Sequence, residues 1–181
     1  MSKYKLAGAI CAMIVAVTAA NYLVLFPIND WLTWGTVTYP LTFFITELSN
    51  RFWGPKKARQ IVYVGFVVAV IFSYALATPK IAFASGCAFL ISQLLDISLF
   101  NRLRQESWWC APLVASFWGT TLDSCIFWTA AFWGESVPVL TWAIGDSAVK
   151  FAVDIAMLLP FRMAIGRRFS PCHKTTIQDT L

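Results

Sequence analysis

The sequence predicts an all-α integral membrane protein of six transmembrane helices with both termini in the cytoplasm, on three observations. Of its 181 residues 59% are hydrophobic and only 13% charged, where soluble chains run nearer ~45–50% and ~25%. The apolar residues gather into six stretches, most of them near the ~20 residues that a helix needs to cross the hydrocarbon layer. The Lys and Arg residues fall almost wholly in alternate connections between those stretches.

The stretches cover 6–26, 34–48, 61–77, 81–100, 108–133 and 137–161, in one domain over 1–181. Lipid offers no hydrogen bonds, so a spanning backbone must satisfy itself as a helix or a closed barrel. No barrel-like alternation recurs, and helices remain. The first stretch follows Lys3 and Lys5 as a signal peptide would. It lacks a small-residue cleavage site and continues as Asn21-Tyr22-Leu23-Val24-Leu25-Phe26, so it is read as the first span. The second is short and holds Pro40, which makes it the weakest helix.

Orientation follows from the basic residues. Lys3 and Lys5 precede span one, and Arg51, Lys56, Lys57 and Arg59 join spans two and three. Arg102 and Arg104 join four and five, and Arg162, Arg167, Arg168 and Lys174 follow six. All of these lie on one side, leaving Lys80 opposite and Lys150 within span six, so the positive-inside rule makes both ends cytoplasmic. Trp31, Trp34, Trp53, Trp108, Trp109 and Trp133 fall near span ends, where indole rings favour the headgroup region. Two sets of three spans then have opposite orientation, the arithmetic of a 3+3 inverted repeat. Its sequence trace is thin: Trp34-Gly35-Thr36 before Glu47, and Trp118-Gly119-Thr120 before Asp123.

The net charge of +5 belongs to the loops beside anionic lipid, so no nucleic-acid partner is expected. Cys11, Cys87 and Cys125 lie in apolar runs as small hydrophobes, and Cys172-His173 in the polar tail makes a poor metal site. No cofactor is expected. The sequence has no His-Glu-x-x-His pair, nucleophile elbow or phosphate loop, which argues against an enzyme.

Five of the nine acids, Glu47, Asp96, Asp123, Asp146 and Asp154, lie within or beside the spans. Each costs roughly 2.5–3.5 kcal/mol to insert as a charge, so they should face one another or water. Asp146, Lys150 and Asp154 stand at i, i+4 and i+8 on one face of span six, as a structural ion pair or a pair that cargo or a proton re-matches. By depth, Gln93, Asp123 and Lys150 form a central layer, with Asp146 above and Glu47, Asp96 and Asp154 nearer the cytoplasm. Asn21 closes the site through its amide or makes an interhelical hydrogen bond.

These residues resemble the bacterial queuosine precursor transporter family, which is vitamin-uptake-transporter-like. The resemblance rests on Asn21-Tyr22-Leu23-Val24, on Trp34-Gly35 through Pro40 to Glu47, and above all on Gln93-Leu94-Leu95-Asp96 followed by Phe100-Asn101-Arg102-Leu103-Arg104-Gln105. Trp108-Trp109, Ala111-Pro112, Asp123, Ala131-Phe132-Trp133, Asp146, Lys150 and Leu159-Pro160 continue it in order. Two departures are a very short loop between spans three and four, and Glu47 where related sequences can carry Asp.

The resemblance implies import of 7-deazaguanines (queuine, 7-cyano- or 7-aminomethyl-7-deazaguanine) for queuosine modification of tRNA. Alternating access at the mid-membrane site would carry them. A guanine-like base offers its N1 and 2-amino hydrogens to a carboxylate, its O6 to an amide or ammonium, and its faces to aromatic rings. Asp123 or Glu47 would take the donors, Gln93 or Lys150 the acceptor, and Trp118, Phe127 or Trp128 the faces; Asn21 and Asp96 complete the substrate set. Proton coupling would fall to Asp96, Asp146 or Asp154, with Lys150 as the ion-pair partner. The alternative is a binding subunit like the substrate-binding component of an energy-coupling-factor importer, which binds cargo and leaves translocation to a separate module. The sequence leaves monomer and homodimer open.

Overall fold

The computed structural model describes residues 3–29, 32–76 and 78–166. Within them lie seven α-helices: α1 (Lys3–Leu23), α2 (Trp34–Thr38), α3 (Pro40–Trp53), α4 (Pro55–Leu76), α5 (Pro79–Arg102), α6 (Cys110–Ala131) and α7 (Val139–Ile165). Trp31, Arg167, Arg168, Cys172, His173 and Lys174 lie outside the described residues.

The second apolar stretch is two helices. Pro40 has no N–H to give the carbonyl four residues back, so the ladder stops and restarts around Tyr39. Side chains take over there: the Thr33 hydroxyl accepts the Thr36 N–H, and the Thr42 hydroxyl donates to the Tyr39 carbonyl at 2.8 Å. The expected end at Leu48 also moves, because Ser49 to Trp53 stay helical until Gly54, whose φ of 80° suits glycine. Likewise α4 starts at Pro55, taking Lys56, Lys57 and Arg59 into its first turns. Polar sequence alone does not end a helix.

By length and apolar composition Tyr4–Leu23, α4 and α5 are each able to cross a membrane. Helices α6 and α7 are as long, but carry Asp123, and Asp146, Lys150 and Asp154, all of them buried. These polar residues lower the helices' hydropathy while facing protein rather than lipid. The opposite pattern marks α1, α4 and α5, where Val15, Tyr63, Val67, Ile71, Tyr74 and Phe83 point outward.

Two apolar clusters hold the bundle. Met13, Val17, Ala58, Ile61, Val62, Phe89 and Ile97 join α1, α4 and α5. Phe100, Ala111, Ala115, Phe161 and Ile165, flanked by Leu48 and Trp108, join α5, α6 and α7 at one end. At that same end the Arg51 guanidinium donates to the Arg104 carbonyl at 2.7 Å, Arg104 returns the bond to the Arg51 carbonyl, and Arg162 lies over the Trp108 ring. We call this the basic end. At the opposite end Lys80 pairs with Glu135 at 3.2 Å and donates to the Trp133 carbonyl.

The two Trp-Gly-Thr triplets are buried alike: Trp34 and Trp118 are exposed, Thr36 and Thr120 buried, and each glycine is pressed against a neighbouring element. A Cβ on Gly35 would stand 2.8 Å from the Ala20 carbonyl oxygen and run into a Val24 methyl. Backbone cannot step aside as a side chain can, so Gly35→Ala is expected to destabilise the protein by about 1–3 kcal/mol. Thermal unfolding in detergent measures this, with Gly8→Ala, where a Cβ meets nothing within 4 Å, expected to unfold like the parent.

Candidate functional site

Between the ends of α1 and α6 and the starts of α2, α5 and α7 opens a cavity of about 260 Å³, just under the ~300–1,000 Å³ of most ligand pockets and suited to a small planar ligand. Its floor is polar and its upper wall aromatic, with Phe127, Trp128 and Phe132 on α6 and the turn after it.

The floor is a knot of charge tied around Lys150. Its ammonium donates to Asp123 Oδ2 at 2.9 Å and to Asp146 Oδ2 at 2.6 Å, and it sits 4.9 Å from the centre of the Tyr39 ring. The Asp146 pair is the i, i+4 pair of α7, while Asp123 reaches in from α6. Asp123 Oδ1 accepts the Tyr39 hydroxyl at 2.8 Å and the Ser92 hydroxyl at 3.3 Å; Asp146 Oδ2 also accepts the Ser124 hydroxyl at 2.7 Å. Four helical elements thus meet on two carboxylates and one ammonium. The local formal charge is one negative, and the bonds that offset burial are nearly complete.

Tyr39 and Ser92 were not singled out from the sequence. Tyr39 stands where Pro40 interrupts span two, so the break places a polar ring at the centre of the bundle. A tyrosine beside a proline inside an apolar run is the signal that would have found it.

Of the residues expected at the site, Asn21, Asp123, Trp128, Asp146 and Lys150 line the cavity. Asn21 also keeps local partners: its Nδ2 donates to the Val17 carbonyl at 2.9 Å, and its Oδ1 accepts the Ser73 hydroxyl at 2.9 Å. Gln93 lies outside the lining, held by Thr42 and Thr46 of α3: its Oε1 accepts from Thr46 at 2.6 Å and its Nε2 donates to Thr42 at 2.9 Å. Trp118 is 52% exposed on the outer face of α6, away from the cavity. Trp128 stacks on Phe132, with ring centroids 5.2 Å apart, and meets Trp142 edge-on. Its indole N–H is buried without a partner.

Glu47, Asp96 and Asp154 form a second, deeper layer outside the cavity lining. Along α5 the order is Ser92, Asp96, Phe100, each step one turn or about 6 Å; along α7 it is Lys150, Asp154, Phe161. Glu47 Oε1 accepts the Ser116 hydroxyl at 2.6 Å. Below the layer Phe100 and Phe161 meet with centroids 6.1 Å apart and close the basic end.

Comparisons with known proteins agree in direction. A family described as "Putative vitamin uptake transporter" matches residues 33–165. The chain is 32% identical to the "Probable queuosine precursor transporter" of Haemophilus influenzae, over 81% of this chain and 80% of that one. It is 30% identical to the "Queuosine precursor transporter" of Escherichia coli, again over 81% and 80%. It is 28% identical to the "Probable queuosine precursor transporter" of Bacillus subtilis, over 73% and 70%. No solved structure matches the chain.

Proposed function

This chain belongs to the vitamin uptake transporter family, and from that premise we propose that it imports queuosine precursors as 7-deazaguanine bases, for queuosine modification of tRNA. It is a carrier rather than a catalyst, working by alternating access around the Asp123–Lys150–Asp146 floor. On this reading the chain has six spans, α2 and α3 together making one, with the basic end and both termini in the cytoplasm and the cavity mouth on the outer side of the inner membrane.

One observation carries this reading: a cavity with a net-negative polar floor beneath an aromatic wall. The hydrogens on N1 and the 2-amino group of a guanine-like base suit a carboxylate, and here Asp123 is the carboxylate that both lines the cavity and comes from the facing helix. Lys150 answers O6, and Phe127 with Phe132 flanks the ring faces. The aminomethyl cation of 7-aminomethyl-7-deazaguanine adds a reason for the uncompensated negative charge. Asn21 belongs at the mouth, and the unpartnered indole N–H of Trp128 is a further donor for cargo. Gln93, through Thr42 and Thr46, positions α3 against α5. We infer that the cavity lies open outward and is shut inward by Phe100 and Phe161.

The experiment is a thermal-shift screen of purified protein, followed by counterflow in liposomes. The three 7-deazaguanines at 100 times their Kd should stabilise by about 2.7 kcal/mol, and a base lacking the 2-amino group should do so only at higher concentration. Stabilisation without counterflow would favour a binding subunit that needs a separate energising module.

A further inference from the structure

We propose that Asp96, flanked by Glu47 and Asp154, is a proton-binding site that couples cargo uptake to the entry of a proton. The inference rests on the transport reading above and adds what drives it.

Three acids from three helices occupy one buried layer: Glu47 of α3, Asp96 of α5 and Asp154 of α7. Glu47, Asp96 and Asp154 are only 4%, 0% and 6% exposed. Their hydrogen bonding is unlike that of the cavity floor. Both oxygens of Asp96, which has no exposed surface, receive no donor, and neither does Asp154 Oδ2. Ser116 supplies a single hydroxyl, to Glu47.

A second, non-acidic group points the same way. Asn50, one turn below Glu47 and fully buried, uses its Nδ2 on the carbonyl of Ile97, the residue after Asp96, at 3.1 Å. Its Oδ1 accepts nothing. Unbonded acceptors gathered in one buried layer cost several kcal/mol unless a donor arrives. A proton on a carboxyl turns an acceptor into a donor at no cost in volume.

The charged groups around the layer do not supply that donor. From α7, Lys150 is committed to Asp123 and Asp146, and Arg162, two turns beyond Asp154, lies over Trp108 with its buried Nη1 bonded to no acceptor. From α6 the acid Asp123 faces Lys150, Tyr39 and Ser92. On α3 Arg51 bonds the Arg104 carbonyl; Lys56 and Arg59 of α4 and Arg102 of α5 are exposed. No three metal-ligating side chains among the described residues are grouped to hold a metal ion. The cavity lining stops at Asp123 and Lys150, and no hydrogen bond joins it to Asp96 in this state. Ser92, one turn above Asp96 on α5 and bonded to Asp123, is the hydroxyl that stands between the cavity floor and the acid layer.

The step is a simple protonation. A proton from water in the cavity forms an O–H on Asp96, removes one negative charge from the layer while helices rearrange past the Phe100–Phe161 closure, and leaves to cytoplasmic water. Asp146, which the sequence placed beside Asp96 in this role, serves the cavity floor instead, and Glu47 joins the proton layer rather than the cargo site.

The test uses purified full-length protein in liposomes, with the potential clamped at zero by potassium and valinomycin, and labelled 7-cyano-7-deazaguanine, which is uncharged. One proton per cargo predicts about tenfold greater accumulation for one pH unit, acid outside, than at equal pH, and none for a tenfold sodium gradient. Asp96→Asn, which imitates the protonated acid permanently, should keep counterflow and lose the tenfold response. If Asp96→Asn does not fold, Asp154→Asn is expected to lose it in the same way. Accumulation by the wild type that ignores the pH gradient, or a folded variant that responds as the wild type does, overturns the proposal. Absence of wild-type counterflow at every pH would instead strike the transport reading itself.

Discussion

Lys150→Met is expected to abolish uptake and to lower stability by about 3–5 kcal/mol, the usual cost of removing one partner from a buried charge pair. The ammonium is the one donor shared by Asp123 and Asp146, at 2.9 and 2.6 Å. Without it, two carboxylates from facing helices confront each other with only the hydroxyls of Tyr39, Ser92 and Ser124 to hold them. Stability loss alone would fit a trio that merely pins α6 to α7, so a second variant separates the roles. Replacing all three charges together, as Asp123→Asn, Asp146→Asn and Lys150→Met, removes the confrontation as well as the attraction, and is expected to recover most of the lost stability. It should recover none of the uptake, because the cargo's donors and its O6 then find no charged partner. Thermal unfolding and counterflow, measured on the same preparations, read the two effects. A triple variant that transports at the wild-type rate would reduce the trio to a packing device.

Much of this arrangement is legible before any coordinates, and what is not has physical reasons. Spacing by four along one helix is a local property, so Asp146 and Lys150 could be paired from sequence, and their bond in α7 is such a contact. Division of the acids between a cavity floor and a deeper layer depends on which helices adjoin. The pairing of α3 with α5 and with α7, and of α6 with α7, decides it. Gln93 illustrates the limit. Its depth is that of Ser92, yet its side chain turns to Thr42 and Thr46, and no count of residues predicts which neighbour an amide finds. Trp118 illustrates an inference the sequence did permit. At about 100° per residue, Ser116, Thr120 and Asp123 lie about 140–200° around α6 from Trp118, so a wheel that turns Asp123 inward turns that indole out. The break at Tyr39 was visible as Pro40, but its consequence, a phenol hydroxyl on Asp123, required the meeting of two spans far apart in the chain.

Asp123→Asn is expected to weaken binding of 7-deazaguanines at least about 100-fold, and more than any other single change in the cavity that leaves Lys150 in place. Asp123 now accepts three hydrogen bonds, from Tyr39 and Ser92 on one oxygen and Lys150 on the other. A carboxylate has about four acceptor positions, so a cargo bringing two donors must displace one present partner. Ser92, at 3.3 Å the longest of the three, is the one to yield. Asparagine changes this in two ways. It cuts the acceptors to a single oxygen, and it sets an NH2 group, a donor, against either the ammonium or the base's own N–H. Hydrogen bonds to charged groups contribute about 1.5–3 kcal/mol each, so losing two of them amounts to roughly 10² to 10⁴ in affinity. Tyr39→Phe provides the contrast. It takes one donor from the same carboxylate, keeps the ring beneath Lys150, and leaves the acceptors that the base needs, so its effect on affinity should stay below about tenfold. Titration calorimetry on both variants with 7-cyano-7-deazaguanine decides the matter. Comparable losses for Asp123→Asn and Tyr39→Phe would mean that the cargo does not meet Asp123 directly, and that its role is to hold Lys150 and Tyr39 in place.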